Sequence, residues 1–119
     1  MSRLGAVPLY QAKAELFKTL GHPVRIRVLE LLSGGPMPVR DLLSAIEVEA
    51  SNLSQQLAVL RRAGVVIAHR ERSTVMYELA GGEVPELLRV ARRILTDMLA
   101  GQDELLAELR SPRPATHPG

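Results

Sequence analysis

The chain has 119 residues, of which 46% are hydrophobic, 24% charged and 3% aromatic, and its net charge is +2; this composition is typical of one globular domain with an aliphatic core. It contains no cysteine, which excludes disulfides, thiolate metal ligands and thiol redox sensing. No apolar run approaches the roughly 18 residues of a membrane span, and the N-terminus lacks the apolar region of a secretion signal, so we expect a cytoplasmic protein.

Three short helices are predicted in the N-terminal part of the chain. Residues 9–20 repeat apolar side chains at helical spacing. A Gly-His-Pro sequence at 21–23 ends this helix, and its proline suits the first turn of a second helix over 23–33, where the missing N–H is not needed. A third helix follows a loop at 34–38. The residues of the second and third helices predicted to face the core are Val24, Val28, Leu31, Leu32, Val39, Leu42, Leu43 and Ile46.

The segment SNLSQQLAVLRRAG, residues 51–64, predicts a fourth helix with two unlike faces. Leu53, Leu57 and Leu60 form an apolar stripe, whereas the opposite face carries amides and hydroxyls instead of the usual Glu and Lys. Asparagine and glutamine can bond adenine bidentately, and serine can contact base edges or phosphates. We predict base contacts from Ser51, Asn52, Gln55 and Gln56, and DNA backbone contacts from Ser54 and Arg62.

After Gly64 the apolar period changes from about 3.6 to about 2, which indicates β-strands. An apolar run at 65–67 precedes a polar tip at 69–74, and alternating apolar residues continue to Leu79, so we predict a β-hairpin. From 50 to 77 there are four arginines against one acid. The hairpin residues expected to reach DNA phosphates are His69, Arg70 and Arg72.

A helix-turn-helix followed by a two-stranded wing is the element order of a winged helix, whose second helix enters the major groove of DNA. Taken alone, the 51–64 segment fits equally well an amphipathic helix whose exposed face is merely polar, and the hairpin that follows favours DNA binding. The other alternative is a winged helix used for protein–protein contact. Such a module should expose apolar residues on this face, where only Val59 qualifies.

A long last helix is predicted from about Val84 to Leu109. Its apolar positions alternate steps of three and four residues, which is a heptad seam, and such a surface left exposed would exceed a normal monomer patch. We therefore expect a homodimer, with residues 1–110 as the DNA-binding and dimerisation domain and 111–119 as a disordered Pro-rich tail. The predicted interface residues are Leu9, Leu16, Leu88, Leu95, Met98, Gln102 and Leu105.

Three motifs resemble the ArsR/SmtB family of bacterial winged-helix repressors. LFKTLGHPVRIRVLELL (16–32) is similar to the family's Leu-x-His-Pro-x-Arg-hydrophobic stretch, SNLSQQLAVLRRAGVV (51–66) to its recognition-helix signature, and VMYEL (75–79) to the end of its wing. The resemblance covers about residues 9–109. It implies an α+β, mostly α, winged helix-turn-helix fold of four helices, a β-hairpin and a fifth helix, which dimerises through the first and last helices. It also implies a repressor that binds an operator in double-stranded DNA and releases it on a signal.

The chain departs from the family pattern at three places. Gln56 replaces the usual His of the recognition helix, which keeps a hydrogen-bonding side chain but removes a titratable one. Glu49 stands near the helix N-cap, where the family often has Ser. The wing tip at 70–74 lacks the usual Gly, which puts its turn geometry in question.

The metal sensors of the resembled family use Cys in the third helix, or His and carboxylates in the last helix. This chain has neither Cys nor a His in its last helix. His22 is expected to cap or pack a helix start, while His69 lies on the wing and His117 in the tail. Four acids of the last helix could hold a hard cation, but an ordinary solvated face explains them better: Asp97, Asp103, Glu104 and Glu108. We therefore expect no transition-metal site.

Neither catalysis nor a cofactor is indicated. No grouping suggests a nucleophile with its base and orienting acid, and no glycine-rich loop follows a strand to hold a nucleotide. An unknown small-molecule effector remains a candidate signal. The apolar seam near Met98 and Gln102 is the place where we expect one to bind.

Overall fold

The computed structural model describes residues 7–110, and the predicted tail at 111–119 lies outside them. The elements are α1 (Leu9–Leu20), α2 (Pro23–Leu32), β1 (Met37–Pro38), α3 (Val39–Ala45), α4 (Ala50–Arg62), β2 (Val66–Glu71), β3 (Thr74–Leu79) and α5 (Val84–Arg110). This order confirms the predicted succession of four helices, a hairpin and a fifth helix. The chain divides into two compact units between Pro85 and Glu86.

The core of the N-terminal unit is built from leucines of three helices. Leu29 of α2, Leu42 of α3 and both Leu53 and Leu60 of α4 have no exposed surface. Full burial of a leucine stabilises a fold by about 1.5–3 kcal/mol relative to exposure. The aliphatic core expected from the low aromatic content is therefore present, and it fixes α4 to α2 and α3.

The buried face of α2 is rotated from the predicted one. Val28 and Leu32 are buried as expected, but Val24 and Leu31 are only half-buried. Leu29, which was not predicted, is completely buried. Nearly every position of α2 on this side is apolar, so periodicity alone could not choose between neighbouring faces.

His22 caps the start of α2, as predicted. Its Nδ1 accepts a hydrogen bond from the backbone N–H of Val24 at 3.1 Å, and Pro23 occupies the first helical position. The imidazole therefore supplies one of the acceptors that a helix N-terminus lacks.

Gly64 ends α4 and directs the chain into β2. Its φ is 79°, a left-handed conformation that glycine adopts without steric cost. The N–H of Gly64 donates to the carbonyl of Arg61 and the N–H of Val65 to that of Leu60, both at 3.0 Å. These two bonds form a Schellman motif, which sets the wing immediately after α4.

The sheet has three strands in the order β1-β3-β2. The prediction of an uninterrupted loop at 34–38 was wrong, because Met37 and Pro38 pair with Tyr77 and Met76 of β3. Proline is tolerated in β1 because this strand lies at the edge of the sheet, where a donor is dispensable. A two-residue strand containing proline carries no sequence signal of its own.

The polar tip of the hairpin is shorter than the predicted 69–74. The β2–β3 ladder runs from Val66 opposite Leu79 to Glu71 opposite Thr74, which leaves only Arg72 and Ser73 in the turn. The ladder continues through polar residues because it depends on backbone hydrogen bonds. Arg72 has a φ of 59°, so it occupies the left-handed position that glycine usually takes, at a cost of about 1–2 kcal/mol.

The C-terminal unit is dominated by α5, which has 27 residues and no buried side chain. The helix begins at the predicted residue and ends one residue later than predicted. Its large exposed hydrophobic side chains are Val90, Ile94, Leu95, Met98, Leu99, Leu105, Leu106 and Leu109. No helix within residues 7–110 combines the length and apolar character needed to cross a membrane.

Candidate nucleic-acid interface

A tight turn at 46–49 connects α3 to α4. The N–H of Ile46 donates to the carbonyl of Leu42 and the N–H of Val48 to that of Ile46, both at 2.9 Å. Ile46 is buried, so the turn is anchored in the core. Glu49 is the N-cap residue of α4 and makes no side-chain capping bond. The two helices therefore form a helix-turn-helix with a fixed connection.

The outer face of α4 is polar and contains no carboxylate between Ala50 and Arg62. Asn52 and Val59 are half-buried at its margin. The exposed side chains of this helix include four of the predicted DNA contacts, namely Ser51, Ser54, Gln55 and Arg62. Because Leu53, Leu57 and Leu60 are held in the core, these exposed side chains keep a fixed orientation away from it.

Gln56 does not join the exposed face. It is 8% exposed, and its Nε2 donates to Asn52 Oδ1 at 2.9 Å. On a helical wheel Gln56 lies within about 40° of Leu60, so the buried side of α4 extends further towards Gln56 than the leucine stripe indicated. Gln56 was predicted to contact a base, but in the structure its side chain is buried and its amide is bonded to Asn52.

The wing contributes a second group of cations. Arg70 and Arg72 are exposed at the end of the hairpin. His69 is half-buried, and its Nδ1 lies 3.5 Å from Glu78 Oε1 on the neighbouring strand. That nitrogen has no hydrogen-bond partner within hydrogen-bonding geometry, so the contact is a loose approach of the imidazole to a carboxylate. One ring nitrogen of His69 thus faces Glu78 and not the solvent.

Arg61 and Arg40, which also belong to the N-terminal unit, were not predicted from the sequence to contact DNA. Arg61 is exposed and lines a groove with Ala58 and Arg62. Arg40, in the first turn of α3, shares a second groove with Arg72 at the wing tip. The excess of arginine after residue 50 pointed to Arg61, whereas the position of Arg40 depends on the β1–β3 pairing and has no local signal.

Two carboxylates partly neutralise the positive charge of this second groove. Asp41 and Glu71 also line it, and Arg40 Nε lies 3.8 Å from Asp41 Oδ1. The groove at the end of α4 is lined by Arg61 and Arg62 without a carboxylate, whereas the wing tip carries Arg70 and Arg72 beside Glu71. Exposed arginines attract a polyanion.

A helix-turn-helix with a polar, acid-free second helix, followed at once by a basic wing, defines a winged helix-turn-helix DNA-binding protein. Comparison with known proteins refines this class. Residues 22–68 match the model of a family described as bacterial regulatory protein, arsR family, and similar proteins match over a longer part of the chain. The chain belongs to the ArsR family of bacterial regulatory proteins.

Similar proteins include an HTH-type transcriptional regulator of Mycobacterium tuberculosis, Rv0081, which is 51% identical over 92% of this chain and 96% of its own. Its crystal structure has a TM-score of 0.74 at 52% identity, over 82% of this chain and 98% of that one. The transcriptional repressor BigR from Xylella fastidiosa matches with a TM-score of 0.67 and 33% identity, over 79% and 96% of the two chains.

A third similar structure is the homodimeric winged helix-turn-helix DNA-binding domain Mb0332 from Mycobacterium bovis. It has a TM-score of 0.69 and 27% identity, and the match covers 83% of this chain and 91% of that one. Together with the family match, these similarities establish the protein as a DNA-binding transcriptional regulator and not an enzyme. The expected resemblance to the ArsR family and the winged-helix fold are both confirmed.

No group of three or more His, Cys, Asp or Glu side chains that could hold a metal ion occurs within residues 7–110. The third histidine of the chain, His117, lies outside this range. His22 uses its Nδ1 to cap α2, and His69 directs the same ring atom at Glu78. Within residues 7–110 the two imidazoles therefore lie on separate elements, one at the start of α2 and one on β2.

Proposed function

We propose that the protein is a homodimeric repressor that binds an inverted-repeat operator and does not sense metal ions through Cys or His. The observation that carries this proposal is the outer face of α4, which holds hydroxyl, amide and guanidinium groups without a carboxylate. A face built for protein contact would be enriched in apolar and aromatic side chains. Here the exposed groups are those that bond base edges and phosphates.

In the proposed complex α4 lies in the major groove with its N-terminal residues towards the bases. Ser51, Asn52 and Gln55 contact base edges, and Arg62, two turns further along α4 from Gln55, reaches the backbone. Ser54 lies on the side of α4 that faces the backbone of one DNA strand in this complex. Exposed Ser51 and Gln55 differ in position by four residues, so they lie one above the other on the helix and address neighbouring base pairs.

The wing follows α4 directly and lies on the adjacent backbone. Arg70 and Arg72 supply phosphate contacts there, which position the protein and carry no sequence information. His69 approaches the backbone only on the side not occupied by Glu78. Arg61 joins Arg62 as a backbone contact because both line one groove at the end of α4.

Dimerisation is supported by the exposed apolar surfaces of α1 and α5. Leu9 is 71% exposed and Leu16 43% on α1, while Leu95 and Met98 are each 56% exposed on α5. Apolar patches of this extent on a soluble protein mark interaction sites. Leu88, Gln102 and Leu105 continue the same heptad seam, and a second copy of the chain offers a matching one. The homodimeric Mb0332 domain adds support from a relative.

A dimer with a twofold axis presents two α4 helices related by that axis, so its operator should be an inverted repeat with half-sites about one helical turn apart. A small apolar molecule bound between paired α5 helices, near Met98 and Gln102, would change the distance between the two α4 helices. The fit to both half-sites would then be lost, and the repressor would be released.

Binding to fragmented DNA of the protein's own genome, followed by sequencing of the retained fragments, tests this function. We expect a small number of loci, each containing an inverted repeat near a transcription start. Deletion of the gene should raise transcription next to those loci. Uniform retention of all fragments, or lower transcription after deletion, would contradict specific binding or repression respectively.

A further inference from the structure

Two amide side chains on α4 are bonded to each other across one helical turn. Gln56 Nε2 donates to Asn52 Oδ1 at 2.9 Å. Gln56 is 8% exposed and is the only buried polar residue within 7–110, whereas Asn52 is half-buried at the margin of the outer face. One partner is therefore held by the protein interior, and the other borders the surface that faces DNA in the proposed function.

The direction of this hydrogen bond follows from the N–H and carbonyl groups that each orientation of the amides leaves without a partner. With Gln56 as donor, one of its N–H groups is bonded, and its second N–H group and its carbonyl oxygen remain. If the amides were turned over, neither N–H group of Gln56 would be bonded to Asn52. Unpaired buried N–H groups are rarer in proteins than under-bonded carbonyls. Neither Asn52 nor Gln56 is among the described residues that keep a fully buried polar atom without a partner.

We propose that Gln56 is a positioning residue that sets the base preference of Asn52. Because Asn52 Oδ1 is directed at Gln56, the side-chain amide presents its Nδ2 to the outside as a hydrogen-bond donor. A bidentate contact to adenine needs both the oxygen and the nitrogen of the asparagine amide to face the base. This part-buried bond turns the oxygen towards Gln56 and away from the base, although asparagine is the residue type best suited to the bidentate contact.

Asn52 therefore selects a base by its keto oxygen. In the major groove guanine offers O6 with N7, and thymine offers O4, as acceptors, whereas cytosine presents only an amino group and adenine an amino group beside its N7 acceptor. An outward Nδ2 donor bonds the keto oxygen of guanine or thymine, meets only a donor on cytosine, and on adenine finds an acceptor only at N7, next to the amino donor. This inference rests on the proposed function for the position of α4 on DNA, but the bond itself belongs to the free protein.

The hydrogen bond can be measured first in the free, full-length protein by NMR. The side-chain amide protons of Gln56 should exchange with solvent more slowly than those of exposed Gln55, and those of Asn52 should exchange freely. In Gln56→Met, which keeps a similar volume in the core, the Asn52 amide signals should shift. Equal exchange of the Gln56 and Gln55 amides would overturn the positioning role without any reference to DNA.

The base preference is measured on a duplex containing the selected operator. Asn52→Ala locates the base pair in question, as the one at which discrimination is lost. Replacing its keto base by an analogue without the oxygen, 2-aminopurine for guanine or 5-methyl-2-pyrimidinone for thymine, should weaken wild-type binding roughly fivefold. The same replacement should have no further effect on Asn52→Ala. Removal of the amino group from the opposite base should leave wild-type binding unchanged.

Gln56→Met tests the coupling. Once Asn52 is free to rotate, its Oδ1 can also face the base, so discrimination at this position should fall roughly fivefold. Gln11→Met is the matched control, because Gln11 is an exposed glutamine on α1, outside the proposed DNA contacts, and it should leave this position unchanged. Thermal unfolding of both variants checks that the core is intact.

Three outcomes would overturn the inference. Gln56→Met could fold normally and keep the wild-type preference at this position, the amino group could prove to be the determinant, or Asn52→Ala could alter no position. Each of them leaves operator binding itself intact. A wild-type protein that selects no sequence would instead refute the proposed function, together with the base assignment, while the NMR result on the free protein would still stand.

Discussion

Pro38 pairs with Met76 in the antiparallel ladder between β1 and β3, and the next residue, Val39, begins α3. β3, which is the second strand of the wing and the middle strand of the sheet, is thus paired with the residues that lead directly into the helix-turn-helix. Gly64 joins α4 to the wing from the other side through its Schellman motif. Because both connections are short, α4 and the wing are held in a fixed geometry, which the proposed DNA complex would use without a rearrangement.

Gln55→Ala should weaken operator binding by about 1–3 kcal/mol, because it removes a base contact without disturbing the core. Gln55 is exposed, so the free energy of unfolding should change little. Fluorescence anisotropy with the operator and with a scrambled duplex measures the effect. Specific binding should fall and preference at one base pair per half-site should relax. Unchanged affinity for both duplexes would show that another face of α4 contacts the bases.

Arg72→Asn should reduce the salt dependence of DNA binding while leaving the fold intact. Asparagine tolerates the left-handed conformation that Arg72 adopts at a φ of 59° better than most residues, so the charge is removed without straining the turn. A dimer loses up to two phosphate contacts, and the slope of log K against log salt should fall by about 2 units.

The matched control for the wing is Arg93→Asn, on the exposed surface of α5. It removes the same charge from a helix that is not expected to touch DNA, so the slope should stay at the wild-type value. Equal slopes for Arg72→Asn and Arg93→Asn would place the wing away from the phosphates.

Leu95→Glu combined with Met98→Glu should separate the dimer. Both side chains are 56% exposed in the single chain, so the change introduces charge into the proposed interface and leaves the core of the N-terminal unit untouched. Sedimentation equilibrium at micromolar concentration should give about twice the 13.0 kDa chain mass for the wild type and one chain mass for the variant. Operator affinity should fall steeply, because one α4 helix reads only one half-site.

Thr96→Glu is the control for this experiment, since it adds a negative charge to α5 on the side opposite the heptad seam. It should remain a dimer. A wild-type protein that sediments as a single chain would contradict the dimeric repressor, and a dimer that survives both glutamates would place the interface elsewhere.

Zinc, cadmium, nickel, copper and arsenite at micromolar concentration should not release the operator. Soft ions need thiolates, and the chain has no cysteine; borderline ions favour imidazoles, and a tetrahedral site needs about three or four ligands. Titration of each ion into a fluorescent operator complex measures release. Stoichiometric release by any of them would reveal a metal site that the ligand inventory missed.

The fold could be predicted from the sequence wherever local signals agree. Three local signals each have one interpretation: the leucine stripe of α4, the proline after His22 and the glycine at 64. The helices and the turn that they predict form as expected. β1 could not be predicted, because a two-residue strand depends on a partner 40 residues away. The buried face of α2 was ambiguous for a different reason, since several neighbouring faces of that helix are apolar.

In the candidate site, too, some features could be predicted from the sequence and others could not. Exposure of Ser51 and Gln55 follows from their position opposite the leucines. The burial of Gln56 could not be predicted in this way, because a polar side chain beside an apolar stripe can point towards the core or towards solvent. In the structure the Gln56 side chain bonds Asn52. The approach of His69 to Glu78 requires the strand register, which composition does not fix.

The most direct measurement of the central claim is selection of bound duplexes from random-sequence DNA by the full-length protein. The account predicts enrichment of an inverted repeat whose half-sites lie about one helical turn apart, and loss of that repeat when Ser51 and Gln55 are both replaced by alanine. Failure to enrich any sequence, or enrichment of the same repeat by the double variant, would contradict operator recognition by the exposed face of α4.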